Sequence, residues 1–194
     1  MTHTRTAWLC GTFLLLLGTS LLAAPEPPSS SAASMQRKLD YLQKNASQPK
    51  PDPAPMQFSE QEVNAYLASG AVKMPRGVQS LRTMGSLDVI TAYAKVNFDE
   101  VTGGRSSSPL LKLFAGTHDV MVMAHARGVR GEGLVDVDSV AIDDIAVPHF
   151  ALQLFVEKYL QPKYPNLGIH SHFALPERID SATVGSHRLI VVQR

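Results

Sequence analysis

Thiols are almost missing from this 194-residue chain. Cys10 is its one cysteine, so no disulfide can close within it. Charge of one sign is missing too: Lys and Arg number 18 against 17 Asp and Glu. A nucleic-acid binder carries a basic field, so nucleic acid is excluded as a partner. Even total charge is scarce, at 18% of residues against roughly 25% in an average soluble protein. That deficit points to a large apolar interior or an apolar surface.

The motifs of catalysis and cofactor binding are absent as well. "GVRGEG" (128–133) is glycine-rich but is not G-x-G-x-x-G. It joins two strands, and so offers a phosphate no helix-terminal N–H groups. "DVDSVAIDD" (136–144) has the aspartates of a calcium loop without its glycine core or closing glutamate. Asp136 and Asp138 are expected on a solvated sheet face. "RSSSPLL" (105–111) has serines without the G-x-S-x-G elbow of a hydrolase. His170 and His172, in "HSH", point to the same side of a strand, a spacing that can bind a metal. No cysteine or carboxylate at a ligand spacing completes that set. His118 and His125, seven residues apart, fall on opposite faces. This reading gives no catalytic residue, no metal and no cofactor.

What is present begins with "MTHTRTAWLCGTFLLLLGTSLLAAPEPPSS" (1–30). Arg5 precedes an apolar run from Ala7 to Ala24, followed by prolines, which is the layout of a secretory signal peptide. The alternative is a retained N-terminal anchor, since the run approaches the roughly 20 residues that span a bilayer. Interrupting Gly11, Gly18, Thr19 and Ser20, the Ala23–Ala24 pair and the lack of a basic flank favour cleavage. We expect residues 1–23 to be removed, Cys10 with them, and the protein to reach the periplasm or the exterior. Residues 24–56 read as a Pro/Ser-rich tether. Within it, Met35, Leu39 and Leu42 predict a short helix, marginal alone, that frays and leans on the domain.

Residues 57–194 read as one domain. In "FSEQEVNAYLASG", Ser59 and Glu62 form a capping box, Phe58 and Val63 stand at the positions of a hydrophobic staple, and Gly70 is the stop. Periodicity then changes to two. "VQSLRTMG" (78–85) and "SLDVITAYAKVNFD" (86–99) predict a hairpin with Ile90, Ala92, Ala94, Val96 and Phe98 on one face. After a Gly/Ser loop, "PLLKLF" (109–114) predicts a short helix. "HDVMVMAHARG" (118–128) and "LVDVDSVAIDDIAV" (134–147) predict a second hairpin. A helix over 148–160 follows, and the chain closes on a third hairpin turning at Gly185–Ser186. Strands in adjacent pairs predict an antiparallel sheet and the α+β class. The expected architecture is a curved sheet built from hairpins and wrapping, or covered by, two to three helices.

The 148–160 helix carries more apolar bulk than one core stripe needs. Leu152, Phe155, Val156 and Tyr159 already make the stripe, and Phe150, Leu154 and Leu160 widen it. Burying one such side chain contributes roughly 1.5–3 kcal/mol. Either the sheet wraps this helix or part of it lines a cavity. "PLLKLF" repeats the excess, and Met121 and Met123 add adaptable apolar surface. The candidate groove residues are Leu110, Leu113, Phe114, Met121, Met123, Phe150, Leu154, Phe155 and Tyr159.

With E-x-x-x-N-A-Y-L at Glu60–Leu67 and L-P-x-x-I at Leu175–Ile179, residues 57–194 resemble the LmeA-type periplasmic lipid-binding proteins. Those are similar to the tubular lipid-binding (BPI-like) fold. The chain also resembles uncharacterised exported bacterial proteins. The first resemblance implies a curved antiparallel sheet around a long helix, with an apolar groove. The expectation is an exported, non-enzymatic protein of the bacterial envelope that binds an apolar small molecule, lipid in particular. An interaction module for an envelope protein or the membrane surface is the alternative, and a hydrolase is third.

Overall fold

The structure is a computed structural model that describes residues 29–102, 115–162 and 164–194. The signal-peptide expectation for 1–23 and the "PLLKLF" helix therefore lie outside the described residues. The class is α+β, and every strand pairing in the sheet is antiparallel. Its strands are β1 (Met56–Ser59), β2 (Val78–Ser86), β3 (Val89–Asn97), β4 (Thr117–Val129), β5 (Glu132–Ile142), β6 (Ile145–Ala146), β7 (His170–Ala174), β8 (Ile179–Gly185) and β9 (Arg188–Gln193). The helices are α1 (Ser30–Ala46), α2 (Glu60–Ala68), α3 (Phe98–Thr102) and α4 (His149–Phe155), the last running on into a π-helical turn over Val156–Leu160.

All three expected hairpins form: β2–β3, β4–β5 and β8–β9. A fourth was not anticipated. The return strand expected over 134–147 breaks after Ile142, where Asp143 and Asp144 both take positive φ (48° and 64°). This is the two-residue geometry that matches strand twist, and aspartate tolerates it better than most residues. Asp143 gains by turning there, because its carboxylate accepts from the Asp119 N–H and pairs with His118.

The pair β4–β5 is the spine. The outer edge of β4 is divided between β3, opposite Thr117–His125, and β8, opposite Arg127–Gly128. The outer edge of β5 is divided likewise between β7 and β6. A bulge opposite Met123–Ala124 leaves Asp138 as the extra residue of β5 and adds local twist where the two halves meet.

One face of this sheet is covered at both ends. Along β4, Val120, Val122, Ala124, Ala126 and Gly128 alternate onto the same side. At the Gly128 end the column Met56, Val191, Ala182, Gly128 runs across four strands. Here Leu42 of α1, Phe58 and Val191 make a buried cluster, with Met35, Leu39 and Val63 against it. Gly128 is required by close approach, since a Cβ there would stand 2.8 Å from the Ala182 Cβ and 2.7 Å from Leu175 Cδ1.

The short helix expected within the tether is thus longer, and it is docked. Ser29 caps it, accepting from the Ala32 N–H at 3.2 Å. Its stripe of Met35, Leu39 and Leu42 finds apolar partners that local sequence could not reveal. Polar ties hold it as well. Lys38 reaches Glu62 at 2.7 Å, and buried Asn45 donates to Gln193 Oε1 at 2.8 Å.

Helix α2 forms as its capping box predicts, with Ser59 and Glu62 satisfying each other's backbone N–H. It also covers the free edge of β2. Asn64 exchanges two hydrogen bonds with the Thr83 backbone, donating to its carbonyl and accepting from its N–H, both at 2.8 Å, and Glu60 accepts from the Gly85 N–H. An exposed strand edge invites pairing with other chains, and these side chains occupy it.

Candidate functional site

At the Val120 end of the same sheet face the helical cover does not close. Between sheet and α4 lies a cleft of about 720 Å³. Its floor is β-branched: Val78 of β2, Val96 of β3, Val120 and Val122 of β4, Val140 and Ile142 of β5. Register explains the assembly, because Val120 stands opposite Ile142 and Val122 opposite Val140. Such side chains pack well on a pleated surface and lose little freedom there.

The roof is Ala151, Leu152, Leu154 and Phe155 of α4 with Tyr159 and Leu160 of the π turn. Pro148 opens this helix at φ −59°, with no N–H left to satisfy. The Gln161 N–H bonds back five residues to the Val156 carbonyl at 2.9 Å. In a turn that spans five residues, positions four and five beyond Phe155 both stay near its side of the helix. Tyr159 and Leu160 therefore both reach the cleft. π turns inside α-helices occur often at functional sites. Phe155 is the hinge of an aromatic chain, edge-on to Phe98 of α3 at 5.9 Å and tilted against Tyr159 at 5.4 Å.

Among the described residues the charged lining residues are Arg76, Glu157 and Lys158, all exposed. Gln153 donates to Glu157 at 2.9 Å, and the Lys158 ammonium lies 5.5 Å from the Tyr159 ring centre.

Of the groove residues expected from sequence, Leu154, Phe155 and Tyr159 line the cleft. Phe150 is on α4 but turned outward, 68% exposed. Met121 and Met123 are on the opposite face of β4, because period-two alternation gives the cleft side to Val120 and Val122. Leu110, Leu113 and Phe114 lie outside the described residues. The floor valines, Leu152 and Phe98 were missed as site residues. Their signal was legible: the Val96–Phe98 and Val120–Val122 alternations are plain, but nothing local says which sheet face α4 covers.

The histidines mostly pair with carboxylates away from the cleft. His125 meets Asp138 at 2.8 Å, His170 meets Asp136 at 2.9 Å and His187 meets Glu60 at 2.8 Å. The carboxylate that local spacing did not supply to "HSH" thus arrives across β5–β7. His118 is raised above the usual imidazole range, chiefly by its hydrogen bond to Asp143, which is lowered in turn. Among the described residues no group of three or more His, Cys, Asp or Glu side chains is placed to hold a metal ion. The serines at 106–108 lie outside the described residues. Among those residues no helix is long and apolar enough to cross a membrane. Comparison with family models, curated proteins and solved structures finds no match.

Proposed function

We propose that the cleft under α4 binds an apolar small molecule, a lipid in particular, and that the protein is an exported, non-enzymatic component of the bacterial envelope. The observation that carries this reading is the cleft: about 720 Å³, walled by aliphatic and aromatic side chains, with the charged residues of its described lining all exposed. Small-molecule sites have this character, with volumes of about 300–1,000 Å³ and few polar groups. Water against such walls gains little hydrogen bonding, so displacing it with hydrocarbon is favourable at roughly 25 cal/mol per Å² buried. Export rests on the Arg5, apolar-run and Ala23–Ala24 pattern. The resemblance of 57–194 to LmeA-type proteins points the same way.

The test is native mass spectrometry of protein purified from an envelope fraction, paired with titration of a fluorescent fatty acid. A co-purifying apolar ligand and saturable binding are expected. Val122→Phe, which fills the floor of the cleft, should abolish binding while the protein stays folded. A ligand-free mass together with no fatty-acid binding would refute the proposal.

A second reading has its own observation. Ile145 (70%), Phe150 (68%) and Leu154 (57%) are large apolar residues held in solvent around α4. Such exposure favours an interaction module that docks this helix on an envelope protein or the membrane surface. Phe150→Ser would weaken that docking and leave fatty-acid binding intact.

A further inference from the structure

We infer that the ligand of the cleft is a single-chain anionic amphiphile, whose head group is held between Arg76 and Lys158. This rests on the cleft being a binding site, and adds the chemical class of its occupant. The two cations come from opposite walls. Lys158 is on the π turn of the roof. Arg76 is at the floor edge, second in the turn Pro75–Arg76–Gly77–Val78, which the Val78 N–H closes onto the Pro75 carbonyl at 3.0 Å.

That turn is held in place. Gly77 takes φ 88°, the left-handed value a type II turn needs at its third position. A Cβ on it would stand 2.6 Å from both the Asn97 carbonyl oxygen and Val101 Cγ2, so no other residue fits. The Asn97 N–H also donates to the Gly77 carbonyl at 2.7 Å. Arg76 is therefore carried on rigid backbone at the mouth.

Neither cation is ion-paired among the described residues, although the Lys158 ammonium also lies over the Tyr159 ring. Glu157 keeps its charge while accepting from Gln153, and the described lining carries two cations against this one carboxylate. An anion bridging a guanidinium and an ammonium forms charge-assisted hydrogen bonds, the stronger kind. Volume favours one chain. If each methylene fills roughly the 30 Å³ of a liquid water, a sixteen-carbon chain needs on the order of 500 Å³, which a cleft of about 720 Å³ accommodates.

The experiment titrates the full-length protein with palmitate, hexadecyl phosphate, hexadecanol and a two-chain phosphatidate, in the parent and in Arg76→Gln/Lys158→Gln. Both side chains are exposed, so the variant should keep the parental unfolding midpoint. The parent should bind palmitate and hexadecyl phosphate at least about tenfold more tightly than hexadecanol. The double variant should erase that difference and leave hexadecanol within about twofold. A preference for palmitate alone names a carboxylate head, and a preference for hexadecyl phosphate alone names a phosphate; either supports the inference. Equal binding of the alcohol and the anions overturns the head-group inference and leaves an apolar site standing. Tightest binding by the phosphatidate overturns the single chain. No binding by any of the four removes the site itself.

Discussion

Leu42→Ala tests whether α1 belongs to the fold or merely leans on it. Leu42 is 5% exposed and packs into the cluster with Phe58 and Val191. Truncating it removes the transfer energy of the lost carbons and leaves a cavity, because the cluster is drawn from five elements (α1, β1, α2, β8 and β9) that cannot all close in. Leucine-to-alanine changes in such settings cost about 2–5 kcal/mol. We expect about 3 kcal/mol here, a fall of about 6–12 °C in Tm for a chain of this size. The assay is urea denaturation followed by circular dichroism, with Leu87→Ala as control. Leu87 is 79% exposed at a hairpin turn and should change stability by less than about 0.5 kcal/mol. The transition should remain single, with its slope unchanged. A loss below about 1 kcal/mol, or a separate early transition for α1, would mean that the helix is an appended arm and that its polar ties are incidental.

Three further outcomes are expected. Gly128→Ala should destabilise by about 1–3 kcal/mol through overpacking against Leu175 and Ala182, measured by the same denaturation; a neutral effect would contradict the close approach. Phe155→Ala should cost well under the 3–5 kcal/mol of a filled core while abolishing fatty-acid binding, because the cleft beside it already exists; a full-size loss would make Phe155 ordinary core. Burial pushes Glu62 up, but hydrogen bonds from Lys38, Ser34 and Ser59 outweigh it and hold the carboxyl at about 2. A lowered folded value means stability present above pH 4.5 and lost as pH falls toward 2, about 1–3 kcal/mol once solvent screening is allowed for. Urea midpoints of the parent and Glu62→Gln across that window should converge at the acid end, and parallel curves would count against the network.

Sequence reading succeeded where the cause is local. The Ser59–Glu62 box and the Phe58–Val63 staple are complete within six residues, and α2 forms where they put it. The hairpins follow from period two and short turns. It failed where the cause is distant. Met56–Ser59 is too brief to announce a strand, and becomes one because β9 presents a free edge opposite it. The α1 stripe is expected to lean on the domain and does, but its partner Val191 lies too far along the chain for local spacing to name. At the cleft, alternation separates the valines of β4 from its methionines, but side-chain softness points to the methionine face, which is the one α4 leaves uncovered. The covered face is settled by the path of α4 instead, which no single strand encodes.

The pairing of α1 and β1 with β9 has a kinetic consequence. Asn45 and Gln193, joined in that layer, are 148 residues apart, whereas β4 and β5 meet through a turn of two. Early structure is therefore expected in the three hairpins β2–β3, β4–β5 and β8–β9, whose contacts close short loops, and the Leu42–Phe58–Val191 cluster is expected to follow them. Until β9 is in place, α1 keeps an apolar stripe without its partner and β1 has no strand to join. A chain halted before residue 188 would expose both, and would be prone to aggregation in proportion to how long it waits.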